Sequence, residues 1–137
     1  MDDLDRQILS ILRRDARLPY TQIAERVGTS EGTVRNRVDH MVEGGIIERF
    51  TIATSTGNVK AMIEVSVGVD VDTAAVSDRL AEWEQVDFVW QVSGDADIVL
   101  VVDAIDTESV NDLITRALRL EEVKNTTTRI ILDERLG

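Results

Sequence analysis

Between Gly32 and His40 the chain sets out residues whose types suit the edge of a base pair. Gly32 allows close approach, Thr33 and Asn36 carry a hydroxyl and an amide for base edges, and Arg35 and Arg37 bring guanidinium groups that fit guanine or phosphate. Val34, Val38, Met41 and Val42 recur at i, i+4, i+7 and i+8, the spacing of one buried helical stripe. Gly32, Thr33, Asn36, Asp39, His40 and Glu43 then point away from it, with Arg35 and Arg37 on the flanks. The chemistry this set suits is recognition of DNA in the major groove, although a surface helix of any three-helix bundle would share the spacing. Acid-base catalysis has little to work with. The chain has one histidine (His40), one tyrosine (Tyr20) and no cysteine, so such work would fall to Asp, Glu or Arg.

Such a helix must be held by others, and the flanking sequence supplies them. Asp2 or Asp3 can cap a first helix in which Leu4, Ile8, Ile11 and Leu12 make one apolar stripe, ending near Asp15. Arg13, Arg14 and Arg17 complement its C-terminal dipole or, alternatively, touch phosphate. Pro19 fixes the entry to a second helix that Tyr20, Thr21 and Gln22 begin, and these three are placed to touch the DNA backbone. Ile23, Ala24 and Val27 share a face, Gly28 suits a left-handed helix end, and Ser30 can cap the third helix. Two short helices joined in this way are a helix-turn-helix. Gly44 and Gly45 stop the third helix, and the alternating apolar residues of Ile46 to Thr54 read as an extended wing. Residues 1–53 thus form one domain, and the polar run 54–58 is a linker to a second domain over 59–137.

Charge divides at the same place. The net charge of −11 resolves into −1 over residues 1–50 and −10 over the rest, so the acid excess does not burden the helix-turn-helix. With 13 Arg against 2 Lys and 15 Asp against 11 Glu, the balance resembles proteins of salt-accumulating halophiles. The absence of cysteine excludes disulfides and thiolate metal sites. No apolar run is long enough to span a membrane, and the charged start is unlike a signal peptide. A cytoplasmic protein with no membrane partner is expected.

The second domain reads as strand, helix, strand, strand, helix, strand. Ile63, Val65, Val67 and Val69 alternate with Met62, Glu64, Ser66 and Gly68. A helix capped by Asp72 or Thr73 buries Val76, Leu80 and Trp83. Val86 to Ser93 and Ile98 to Ala104 form a hairpin about Gly94-Asp95-Ala96-Asp97. Thr107 opens a helix with Val110, Leu113, Ile114, Ala117 and Leu118 on one face, and Val123 to Leu132 closes the sheet. This order predicts an α+β, ferredoxin-like βαββαβ plan with both helices on one face of an antiparallel sheet. Ile98 to Val102 is apolar without alternation, so the other face also needs cover. A second copy of the same sheet is the simplest candidate.

The helix-turn-helix ending VRNRVDHMVEGGIIERF, followed by a split βαβ domain with the turn SGDADIVLVV, resembles the Lrp/AsnC (feast/famine) family of transcriptional regulators over essentially the whole chain. The pattern S-x-x-T-V-x-x-R-V-x-x-M-x-x-x-G-I-I from Ser30 to Ile47 and the G-x-x-D turn at Gly94 and Asp97 carry the likeness. It implies a winged helix-turn-helix that binds double-stranded DNA through Tyr20, Thr21, Gln22, Ser30, Gly32, Thr33, Arg35, Asn36, Arg37 and His40. It also implies a RAM-type effector and oligomerisation domain, pairing sheet to sheet in a homodimer or a higher assembly such as an octamer. The effector, an amino acid or related small metabolite, would meet Gly94, Asp95 and Asp97 with Thr126, Thr127 and Thr128 facing them. No other cofactor, catalytic residue or metal is implied. Two readings compete: an enzyme on the same architecture, since some tetrapyrrole decarboxylases resemble the family in fold, and an effector-independent global DNA-organising protein.

Overall fold

The computed structural model describes all residues from Met1 to Gly137. It divides into two compact units, Met1–Thr54 with Gly137, and Ser55–Leu136.

The first unit is three helices: α1 (Asp3–Arg14), α2 (Tyr20–Val27) and α3 (Glu31–Glu43). Asp2 caps α1 by accepting the Asp5 N–H, and Asp5 returns the bond to the Asp2 N–H, a reciprocal box that satisfies two donors at the helix start. Gly28, at φ 76°, ends α2 in the left-handed conformation while its N–H reaches the Ala24 carbonyl. Ser30 caps α3 through the Thr33 N–H. Ile8, Leu12, Ile23, Ala24, Val34, Val38 and Met41 form the core, with Leu4, Leu18, Tyr20 and Ile47 against it. Two expectations fail here. Val42 is 45% exposed, because Val34, Val38 and Met41 already complete the α3 stripe. Ile46 to Thr54 forms no strand, because an extended segment needs a hydrogen-bonding neighbour and this unit holds no other strand. The helix-turn-helix carries no wing as an internal sheet.

The second unit is β1 (Val59–Val67), α4 (Thr73–Ala81), β2 (Val86–Gln91), β3 (Ile98–Ala104), α5 (Thr107–Leu118) and β4 (Val123–Ile130). The strands pair antiparallel in the order β2-β3-β1-β4. Asp72 rather than Thr73 caps α4, and Asp106, one residue before the expected start, caps α5. β4 stops two residues before Leu132. Alternation along each strand sends Ala61, Ile63, Val65, Ile98, Leu100, Val102 and Ala104 to the helices, where Val76, Leu80, Trp83, Val110, Leu113 and Ala117 complete the core. On the other face no helix lies. Phe88 and Trp90 stack there with centroids 5.6 Å apart, 48% and 50% exposed. Their cross-strand partners Val101 and Val99 lie beside them, and Met62 pairs with Val101 from the other side.

Candidate nucleic-acid interface and effector site

The turn between α2 and α3 places Gly32, Asn36 and His40 in the open. All three are exposed, and a side chain at Gly32 would meet nothing within 4 Å, which leaves room for another molecule's backbone there. Thr33 is partly covered, its hydroxyl 2.9 Å from that of Ser30. Arg35 donates to Glu31 at 2.5 Å one turn earlier, and its guanidinium lies over the Tyr20 ring, 5.4 Å from the centroid. Glu31 and Tyr20 thus hold this arginine from two sides while it stays half exposed. Thr21 and Gln22, also exposed, stand on the first turn of α2. The structure therefore gathers nine of the ten expected contacts on or beside one helix face.

Arg37 is the exception. Its Nη1 donates to Asp2 at 2.5 Å and Asp5 at 3.2 Å, and the side chain is only 33% exposed. The guanidinium is turned to the start of α1, not to the groove-facing side, because two carboxylates of the capping box converge there. Sequence reading could see neither contact, since 35 and 32 residues separate the partners. The same contact holds the Asp2 carboxyl at about 2, the Arg37 bond being the largest cause and the Asp5 N–H the next. It also raises the Arg37 pKa. A carboxyl depressed on folding stabilises the fold above its unfolded value near 4 and ceases to as pH falls towards 2. Melting temperature is therefore expected to decline over that window, and Asp2→Asn to remove part of the decline. Equal acid slopes for both proteins would refute the assignment.

At the sheet, the Gly94 to Asp97 turn is clasped to β1. Gly94 takes φ 107°, which a glycine tolerates freely, and the Val92 N–H reaches the Asp97 carbonyl at 3.0 Å. The Asp97 N–H donates to the Val65 carbonyl at 2.9 Å, and an Asp97 carboxylate oxygen accepts the Val67 N–H at 2.9 Å. That N–H lies where β1 shifts register against β4, so Asp97 satisfies a donor that the ladder leaves over. One oxygen of the expected ligand-binding carboxylate is thus engaged inside the fold, whereas Asp95 is exposed. Thr126, Thr127 and Thr128 pair with Val65, Glu64 and Ile63. They do not face the site as a set. Thr126 and Thr128 share the helix side with Val65 and Ile63, and only Thr127 lies on the helix-free face with Glu64. Ser66, whose hydroxyl donates to the Asp95 carbonyl at 3.3 Å, belongs to the turn and was not expected.

A helix-turn-helix that exposes a small-residue and amide face, carried on the same chain as a split βαβ sheet, defines a DNA-binding regulator with a separate ligand module. Comparison with known proteins gives the same division. Residues 1–42 match the AsnC-type helix-turn-helix domain, and residues 60–136 match the Lrp/AsnC ligand binding domain. The HTH-type transcriptional regulator LysM of Sulfurisphaera tokodaii is 35% identical over 133 residues, spanning 96% of this chain and 95% of the relative. The HTH-type transcriptional regulator LrpA of Pyrococcus horikoshii is 36% identical over 138 residues, spanning 98% of each. The crystal structure of MtbAldR matches with a TM-score of 0.86 at 30% identity, over 100% of this chain and 95% of that one. The chain belongs to the Lrp/AsnC family of transcriptional regulators. Its function is that of a DNA-binding regulator with a small-molecule-binding domain, and the enzyme reading is set aside.

Proposed function

We propose that the chain acts in the cytoplasm as a homodimer or a higher assembly such as an octamer, reading a palindromic operator with one α3 per half-site. The open face of α3 carries this reading. Gly32 admits the duplex, Asn36 and His40 meet base edges with Thr33 beside them, and Arg35 reaches guanine or phosphate from its seat on Tyr20. Ser30, Tyr20, Thr21 and Gln22 hold the backbone. Two-fold symmetry sets the half-sites about one helical turn apart.

The helix-free sheet face supplies the contact between copies. An exposed Phe88–Trp90 stack beside Val99, Val101 and Met62 is apolar surface of the kind that subunit interfaces cover. An amino acid or related small metabolite binds by the Gly94 to Asp97 turn, its ammonium group on Asp95 and the free oxygen of Asp97. Thr127 faces it from β4, and Thr126 and Thr128 brace that strand from behind. The acid surplus with 13 Arg to 2 Lys supports adaptation to concentrated salt, as in halophilic archaea.

Selection of bound DNA fragments, repeated with and without each amino acid, tests the whole reading. A short palindrome whose enrichment changes with one amino acid is expected, whereas uniform recovery of all fragments would mark a global DNA-organising protein. On the selected operator, Asn36→Ala is expected to lose about 1 to 3 kcal/mol of discrimination at one base position. The dependence on salt should stay shallower than about 0.9 per phosphate contacted, because the acidic half repels the duplex at low salt. Equal loss on operator and random DNA would refute the role of Asn36.

A further inference from the structure

The apolar stripe of α3 sets which face of the helix turns to the core. Val34, Val38 and Met41 pack with Ile8, Leu12 and Ile23, an interlocking that resists large turns but supplies no hydrogen bond to hold the last degrees. Side chains stand roughly 5 Å from a helix axis, so a roll of about 20° carries the Asn36 amide by roughly 2 Å. That displacement is several times the range over which a hydrogen bond to a base edge holds. Recognition by α3 therefore needs a directional tie.

We propose that Arg37 is that tie, a positioning residue that locks the roll of α3 against the start of α1 and makes no DNA contact of its own. The proposal rests on the reading of α3 as the recognition helix. In Asp2, one oxygen accepts the Asp5 N–H at 3.0 Å and the other accepts Arg37 at 2.5 Å. In Asp5, one oxygen accepts the Asp2 N–H at 3.1 Å and the other accepts Arg37 at 3.2 Å. The box holds both carboxylates still, and a single guanidinium nitrogen, Nη1, donates to both of them. One arginine thereby joins α3 to an anchor that α1 itself makes rigid.

Asparagine separates the two duties of each acid. Its one carbonyl oxygen keeps the capping bond, since Asn caps as well as Asp, while its NH₂ turns a donor towards the guanidinium and breaks the tie. With the full chain, operator and random-DNA affinities are measured for the wild type, the double variant Asp2→Asn/Asp5→Asn, and Arg37→Ala. Both variants are expected to lose about tenfold on the operator with random DNA and the salt slope unchanged, so that the ratio of the two affinities falls. If Arg37 instead served phosphate, Arg37→Ala would weaken operator and random DNA alike and flatten the salt slope by about 0.9. That result overturns the proposal. So does an unchanged ratio, with helix content intact, in the double variant. Should Arg37→Ala fail to fold, the double variant alone decides the matter. A wild type that does not discriminate the operator from random DNA would overturn the recognition-helix reading itself, a different failure.

Discussion

Replacing Phe88 and Trp90 together by aspartate is expected to leave a folded monomer that binds its operator about 10²- to 10⁴-fold more weakly than the native protein. Both rings are half exposed on the face that carries no helix, and the core residues lie on the opposite side of the same strands. The change therefore spares the core, and its cost inside one chain is confined to the half-covered stack. In a dimer paired through this face, as proposed above, it would remove two aromatic anchors from each subunit and set four carboxylates in the contact. A dimer engages its second half-site at the high effective concentration that the first has created, and a monomer has no such gain. Sedimentation, melting and band shifts on one-half-site and two-half-site DNA check each step. A variant that still sediments as a dimer would place the subunit contact elsewhere.

Asp97 should separate into two functions. Asp97→Ala removes the acceptor of the Val67 N–H and leaves a partly buried donor unsatisfied, so about 1 to 3 kcal/mol of stability is expected to be lost. Asp97→Asn keeps an oxygen for that N–H and discards only the charge. Its stability should stay close to wild type, whereas an ammonium-bearing effector should bind roughly 10- to 100-fold more weakly, the worth of a hydrogen bond to a charged group. Denaturant titration and calorimetry measure the two effects apart. Wild-type affinity in the Asn variant would remove Asp97 from the effector site and leave it as the clasp of the hairpin alone.

Arg37 and Asp97, set beside Asn36 and Gly32, illustrate what the sequence could and could not convey. The five helices, the four strands and their order follow from local signals: apolar spacing of 3.6 or 2, an acid or serine before each of four helices, and glycines where φ turns positive. Asn36 and Gly32 were legible because exposure on a helix follows from the stripe opposite. Arg37 and Asp97 were not. Each is defined by partners some 30 residues away, and no periodicity encodes which acid a given arginine will meet. The wing failed for a related reason: alternation from Ile46 to Thr54 states that a segment could be a strand, but a strand exists only with a neighbour. The threonine triplet failed through simple alternation, which sends consecutive residues to opposite faces.

The order of the sheet also bears on how the protein comes into being. The three helices of the first unit close over loops of a few residues, and a unit built from such local contacts folds in microseconds to milliseconds. In the second unit β1 lies in the middle and waits for both neighbours. Val59 pairs with Ala104 and Ala61 with Ile130, so most of the domain must be synthesised before its central strand is satisfied on either side. At about 5 to 20 residues per second, the DNA-reading head leaves the ribosome and folds seconds before the sheet can. Each nascent chain thus owns a finished reading head while its sheet does not yet exist. The exposed aromatic face appears only when a complete sheet is there to present it.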